Sequence, residues 1–148
     1  MTNPLDLLLP FTGAKVALLL NQHILVYRRD DKPDIPYPGQ WDLPGGGREG
    51  DETPLQCVQR EVHEEFGIHI AAAAVRWTRR YPPLRAGGLP AYFMGGRLSQ
   101  AEHVAIRFGD EGQEWTLMPV DEFLSRGDAV AHLQQRLVDF LASPQAAA

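Results

Sequence analysis

The stretch that most constrains this chain is residues 46–68, in which a glycine-rich acidic loop leads into a segment that carries helix signals at both ends. Thr53 suits the N-cap, Pro54 fits the first helical position, and Gln56 completes a capping-box pattern with Thr53. Gly67 stands where a left-handed residue commonly ends a helix. The sequence therefore predicts a loop followed by a short capped helix.

Helical spacing divides the side chains of this segment between two faces. Apolar residues recur at steps of three and four and form a stripe that consists of Leu55, Val58, Val62 and Phe66. The carboxylates of Glu61, Glu64 and Glu65 gather on a different face. Because like charges at this spacing repel each other, a cation would stabilise the cluster, and hard oxygen ligands suit Mg²⁺ or Mn²⁺. A solvated acidic helix face is the alternative interpretation.

The whole stretch, which we call the box, follows a longer pattern. It reads Gly46, five residues, Glu52, seven residues, and then Arg-Glu-hydrophobic-any-Glu-Glu-any-Gly-hydrophobic from Arg60 to Ile68. The box resembles the signature of the Nudix hydrolases at every fixed position. The resemblance implies an α/β fold of that family's type, an α/β/α sandwich with a mixed β-sheet, built as a single domain over residues 1–148.

The resemblance also implies roles for individual residues. Arg60 and Glu52 would form an ion pair that orients the other carboxylates, and a helix-stabilising surface pair is the alternative. Glu61 is in addition a candidate general base, and Glu65 would take part in catalysis. The implied ligands for Mg²⁺, or for Mn²⁺, are the backbone carbonyl of Gly45 and the carboxylates of Glu61, Glu64 and Glu65.

Family members often add one acidic residue from outside the box. Glu114 is our choice, because Glu111-Gly112-Gln113-Glu114-Trp115 resembles a segment of the 8-oxo-dGTP-cleaving members in which Glu precedes Trp. Glu111 is the competing candidate, and a plain acidic turn is a third interpretation.

The resemblance predicts Mg²⁺-dependent hydrolysis of a diphosphate bond in a nucleoside diphosphate linked to another moiety. The small-molecule substrate would be a nucleotide, similar either to 8-oxo-dGTP or to ADP-ribose. Pro82 and Pro83 lie where ADP-ribose-cleaving members often carry a proline, although a Pro-Pro turn needs no such role. A non-catalytic Nudix-fold nucleotide-binding or sensor module is the alternative, but such modules typically lose box carboxylates that this chain keeps.

Composition excludes few classes of protein. The net charge of −5 over 148 residues argues against a broad nucleic-acid-binding surface. Polar residues interrupt the apolar residues 7–9 and 16–20, which predicts neither a signal peptide nor a membrane span. The single cysteine, Cys57, allows no internal disulfide, so we expect a cytoplasmic protein. We expect Cys57 itself to serve in packing. The protein is expected to be either a monomer or a homodimer.

Apolar runs outside the box predict the remaining elements. Residues 121–125 and 130–141 read as helices, residues 104–108 are ambiguous, and residues 143–148 read as a disordered tail. The predicted strands are residues 15–20, 24–29, 41–43, 71–80, 91–98 and 115–120. Tyr27, Trp41 and Phe93 are candidates to stack on a nucleobase, although core packing is the more common role of such aromatic residues.

Overall fold

The computed structural model describes residues 9–147. The predicted apolar N-terminal segment lies partly outside these residues, as does Ala148. The strands are β1 (Gly13–Leu20), β2 (His23–Arg28), β3 (Trp41–Asp42), β4 (Gly45–Gly47), β5 (Val75–Tyr81), β6 (Ala91–Arg97) and β7 (Glu114–Pro119). The α-helices are α1 (Pro54–Phe66), α2 (Gln100–Ala105), α3 (Val120–Ser125) and α4 (Ala131–Leu141), and short 3₁₀ helices cover Ala72–Ala74 and Pro144–Ala147.

The strands form a mixed sheet of seven strands in the order β3-β2-β1-β6-β5, with β4 also paired to β1 and β7 also paired to β2. The β1–β6 pair is parallel, and the other pairs are antiparallel. Strands β1 and β2 pair near their shared turn, at Leu19 and Ile24. Farther from that turn β3 pairs with β2 and β4 pairs with β1, so residues 41–47 lie between the two long strands.

Side-chain alternation along β1 divides the core into two layers. Val16 and Leu18 join a cluster with α1, whereas Ala17 joins a cluster with α3 and α4 on the opposite face. A sheet with helices packed on both faces is an α/β/α sandwich, so the predicted fold class is confirmed. Tyr27, Trp41 and Phe93 are all buried in these clusters, in agreement with core packing.

The caps of α1 have the predicted geometry. The Gln56 N–H donates to Thr53 Oγ1 at 3.1 Å, and the Thr53 N–H donates to Gln56 Oε1 at 3.0 Å. Gly67 has a φ of 68°, the left-handed conformation that glycine adopts without a steric penalty. The helix therefore begins and ends where the sequence predicts, and this positions Arg60 and the glutamates at defined points of its surface.

Four local predictions need correction. Residues 72–74 form a 3₁₀ helix, so the predicted strand 71–80 begins only at Val75. Helix α2 was not predicted, although Ser99 and Glu102 form a capping box at its start. The glycine-rich residues 45–47 pair with β1 as a strand.

The predicted disordered tail is the fourth correction. Residues 144–147 form a 3₁₀ helix, and the Ser143 hydroxyl donates to the Phe140 carbonyl at 2.6 Å. Ala146 packs against the cluster on the α4 face, and this burial orders a segment whose composition alone suggests disorder. Across the described residues, no helix is both long enough and apolar enough to cross a membrane.

Candidate active site

The guanidinium of Arg60 organises the carboxylates of the box. Its Nε and Nη2 donate to the two oxygens of Glu52 at 2.7 and 3.1 Å, which is a side-on bidentate pair. Nη2 also donates to the Gly47 carbonyl at 2.8 Å, which ties the helix to the glycine-rich strand β4. The Arg60 bond is the main cause of the lowered pKa of Glu52. The sequence pattern of Arg and Glu eight positions apart thus becomes a real ion pair.

The same guanidinium brings two further carboxylates together. Arg60 Nη1 donates to Glu61 Oε1 at 3.0 Å and to Glu64 Oε2 at 3.3 Å. One positively charged group therefore lies between the largely buried carboxylate of Glu61 and the exposed carboxylate of Glu64.

Close approach of Glu61 to β4 depends on a glycine. A Cβ atom at position 46 would lie 2.7 Å from the Glu61 Cδ, so any larger residue would displace this carboxylate. At Gly47 a Cβ atom would meet nothing nearer than the Thr12 carbonyl at 3.9 Å. Burial raises the pKa of Glu61, while the neighbouring Arg60 partly opposes this effect.

Glu65 is turned inward. Its side chain is buried, and its Oε1 accepts a hydrogen bond from the Gly45 N–H at 2.9 Å. Burial raises the pKa of Glu65 to about 8, and the charge of Lys15 acts in the opposite direction. Glu65 and the peptide of Gly45 are thus in direct contact.

A charged network that the sequence analysis missed lies beneath this contact. Lys15 Nζ donates to the Gly45 carbonyl, the Leu43 carbonyl and Asp42 Oδ2, each at 3.1 Å. Asp42 also accepts from Arg29 Nη1 at 2.9 Å and from the Tyr27 hydroxyl at 3.1 Å. The available signal was the presence of Lys15 and Asp42 within otherwise apolar strands, where charges are rare unless paired.

The donor set suits a hard divalent cation, but the side chains are arranged around Arg60. Across residues 9–147, no group of three His, Cys, Asp or Glu side chains stands in an arrangement that would hold a metal ion. Glu61 and Glu64 already share one cationic atom, and Glu65 adjoins the Gly45 peptide. Glutamate oxygens and a peptide carbonyl are ligands that Mg²⁺ and Mn²⁺ accept.

Within residues 9–147, no hydrogen bond or ion pair joins Glu114 to the box carboxylates. It is exposed at the start of β7, opposite Arg28 of β2. Glu111 is exposed in the preceding turn and lines a small depression with Tyr27 and Arg29. The turn itself adjoins the box helix, because the Gly109 N–H donates to the Glu65 carbonyl at 2.9 Å.

A cavity of about 360 Å³ opens beside the box. Gly46 and Gly47 form part of its wall, and Lys15 lies in the same wall. Its lining also includes Tyr37 and His132, whose rings are 5.7 Å apart, together with a set of residues that comprises Pro82, Pro83, Leu84, Arg85 and Arg136. The two prolines that the sequence analysis singled out therefore border the space next to the box.

Cys57 does not belong to the chemistry of the site. Its side chain is fully buried with Sγ 3.5 Å from the Gly46 carbonyl, and burial raises the pKa of the thiol to about 11. A buried thiol with a raised pKa is a poor nucleophile, so the prediction of a packing role agrees with the structure.

The α/β/α sandwich thus places the glutamates of a capped helix against the glycine-rich strand β4, whose Gly46 and Gly47 line a cavity. The comparison with protein families specifies the class of protein, because the NUDIX domain model matches residues 10–139. The chain belongs to the Nudix hydrolase family, as its motif predicts.

Individual relatives agree with this assignment. An RNA pyrophosphohydrolase of Mesorhizobium japonicum is 31% identical over 120 residues, which cover 75% of this chain and 68% of that protein. The crystal structure of a Nudix hydrolase from Nitrosomonas europaea covers 93% of this chain and 74% of its own with a TM-score of 0.70, at 20% identity. A bifunctional NMN adenylyltransferase/ADP ribose pyrophosphatase from Francisella tularensis, complexed with AMP and a Mn ion, has a TM-score of 0.63 at 22% identity and covers 93% of this chain and 43% of its own.

Proposed function

We propose that this Nudix hydrolase cleaves a diphosphate bond in a nucleoside diphosphate linked to another moiety, with the help of Mg²⁺ or Mn²⁺. The single observation that carries the proposal is the arrangement around Arg60, which gathers Glu52, Glu61 and Glu64 against the glycine-rich strand whose Gly46 and Gly47 line the cavity. A structural helix surface would not need three carboxylates held by one guanidinium next to a cavity.

The residues of the chain have separate tasks in this proposal. Glu61, Glu64, Glu65 and the Gly45 carbonyl would hold the cation, which on binding would neutralise phosphate charge and lower the pKa of a water molecule. The Arg60–Glu52 pair orients Glu61, which would accept the proton of the attacking water. The hydrogen bond from Lys15 Nζ to the Gly45 carbonyl holds this peptide in position.

The names of the relatives support two kinds of substrate. One relative is named an RNA pyrophosphohydrolase, and one structural neighbour is named an ADP ribose pyrophosphatase. Both names describe the hydrolysis of a pyrophosphate bond. Pro82 and Pro83 at the cavity wall support the ADP-ribose-like substrate, since that position carried the sequence signal for it.

The proposal is tested with purified protein, Mg²⁺ or Mn²⁺, and a panel of 8-oxo-dGTP, ADP-ribose, diadenosine polyphosphates and a 5′-triphosphorylated RNA oligonucleotide. Products are separated by ion-exchange chromatography, which identifies the bond that is cut. We expect metal-dependent turnover of at least one compound, which EDTA abolishes. Lack of turnover across the panel with both metals would contradict the proposal and favour a binding function.

A further inference from the structure

Arg136 on α4 is a buried cation that contacts an aromatic ring. Only 6% of its surface is exposed. Within the part of the chain that the structure describes, no carboxylate forms an ion pair or hydrogen bond with its guanidinium. Its recorded partner is the Tyr81 ring, whose centroid lies 4.5 Å from the Arg136 Cζ. Burial is the main cause of the lowered pKa of Arg136.

The nearest acidic residue on the same helix is engaged elsewhere. Asp139 lies three residues after Arg136, but its Oδ2 accepts a hydrogen bond from the Tyr81 hydroxyl at 2.6 Å. The same oxygen is 3.6 Å from Arg79 Nη1. Taking a charge out of water without a hydrogen-bonded counter-ion is costly, so the Arg136 guanidinium, which has no carboxylate bonded to it among the described residues, is suited to bind an anionic ligand.

The cavity beside the box supplies the space for such a partner. Arg136, Arg85 and Lys15 all line it, and its described lining contains no carboxylate. This concentration of positive charge contrasts with the net charge of −5 of the whole chain. Since Gly46 and Gly47 line the same cavity as Arg136, a molecule in the cavity can contact Arg136 and adjoin the box at once.

We propose that Arg136 is a specificity-determining residue that binds a phosphate group of the substrate in this cavity, apart from the box carboxylates. The guanidinium fork matches the oxygens of a phosphate, and stacking on Tyr81 holds it in place. The proposal rests on the proposed function for its biological meaning, but phosphate binding itself is independent of hydrolysis.

The first test measures binding without catalysis. Thermal unfolding is followed in EDTA with millimolar sodium phosphate or with sodium chloride at the same ionic strength. Phosphate is expected to raise the Tm of the wild type, because a ligand that binds only the folded state stabilises it. In Arg136→Met this increase is expected to disappear, whereas the Tm without phosphate is retained or raised, since an unpaired buried charge has been removed.

Arg79→Met is the matched control. Arg79 also lies over the Tyr81 ring, at 5.1 Å, but it is paired with Asp139 and does not line the cavity. This variant is expected to keep the phosphate-induced increase in Tm. If Arg136→Met does not fold, Arg136→Gln replaces it, and phosphate binding is measured by isothermal titration calorimetry.

The second test uses turnover of ADP-ribose or 8-oxo-dGTP, whichever the protein cleaves. Arg136→Met is expected to lower kcat/KM by roughly 10- to 100-fold, mainly through a higher KM, because a hydrogen-bonded charged contact is lost. The proposal is overturned if the variant keeps the wild-type phosphate effect on Tm, or if the wild type shows none. Arg136 would then be a packing residue on Tyr81, whether or not the protein hydrolyses nucleotides.

Discussion

Glu64 and Glu65 are adjacent in sequence but have unequal surroundings. The Glu64 side chain is 55% exposed and reaches Arg60, whereas Glu65 is buried against Gly45. Replacing either with Gln removes a carboxyl group from the proposed metal site and keeps the shape of the side chain. We expect kcat with Mg²⁺ to fall about 10²-fold or more in each variant, since each would lose electrostatic stabilisation of the reacting phosphate.

Both variants are expected to remain folded. In Glu65→Gln the new amide oxygen can still accept from the Gly45 N–H, and Glu64 is largely solvent-exposed. Steady-state kinetics measure the loss of activity, and thermal unfolding measures any loss of stability. Glu122→Gln on the surface of α3 is the control variant in both measurements. If both variants had wild-type kinetics, the alternative interpretation of the glutamate cluster, an acidic helix face without a catalytic role, would hold.

The packing of Glu61 on Gly46 allows a sharper test. In Gly46→Ala the new methyl group would meet the Glu61 carboxylate, whose flexible side chain can move aside. We therefore expect little loss of stability but a decrease in kcat of up to about 10²-fold, because catalytic groups tolerate displacements of an ångström poorly. Gly47→Ala, where only an ordinary contact arises, is the control and should retain activity. Equal kinetics of the two variants would argue against a catalytic role of Glu61.

At the scale of the secondary structure elements, Asp42 of β3 joins the strands beneath the site. It is 3% exposed and accepts hydrogen bonds from Lys15 of β1, Tyr27 of β2 and Arg29 just after β2. Asp42→Asn leaves two partly buried cations without their buried anion, so we expect a loss of up to about 3–5 kcal/mol in the free energy of unfolding at pH 7. Asp128→Asn, which breaks an exposed pair with Arg126, should cost at most about 1 kcal/mol. Urea denaturation measures both.

The difference in the free energy of unfolding between the wild type and Asp42→Asn depends on pH. Burial alone would raise the pKa of Asp42, but Lys15 and Arg29 outweigh it and hold this pKa below its ordinary value of 3.8. The stabilisation is therefore fully present above pH 3.8 and is lost as the pH falls through the lower pKa of the folded state. The difference in stability between wild type and Asp42→Asn should narrow below pH 3.8. A difference that stays constant down to about pH 2 would contradict this account.

At the scale of the whole molecule, the turn at residues 110–113 connects distant elements. Gly109 is hydrogen-bonded to the carbonyl of Glu65 on α1, and the Gln113 N–H donates to the Arg28 carbonyl of β2 at 2.8 Å. Glu114 directly follows this anchored turn. We propose that Glu114 assists the reaction from there by positioning water, with the metal held by the box residues alone.

A pair of variants tests this proposal. Glu114→Gln should lower kcat substantially while the Mg²⁺ concentration for half-maximal activity stays nearly constant, and Glu111→Gln should have a much smaller effect. Both side chains are exposed, so neither variant is expected to change stability by more than about 0.5 kcal/mol. If Glu111→Gln lowered kcat more than Glu114→Gln, the positioning of water would be assigned to Glu111. If both variants had wild-type kinetics, neither residue would take part and the segment would be an ordinary acidic turn.

The sequence by itself determined the features that depend on residues close together along the chain. Spacing alone specifies the apolar stripe of α1, and the Thr53–Gln56 capping box and Gly67 mark its ends, whereas the burial of Glu65 among the predicted glutamate face did not follow from spacing. In a helix, residues three or four positions apart lie on the same face, so these features follow from local geometry. Family membership followed from the same box, because its pattern is long and specific.

Only the tertiary structure decided which distant residues meet. Lys15 binds the Gly45 carbonyl across 30 positions, and Tyr81 binds Asp139 across 58, which leaves Arg136 at the cavity wall without a carboxylate partner among residues 9–147. No periodicity encodes such contacts, because they depend on strand order and on the crossing of elements. The sequence shows which side chains carry charge, but only the packing of the sheet and helices determines which charges are paired and which face the cavity.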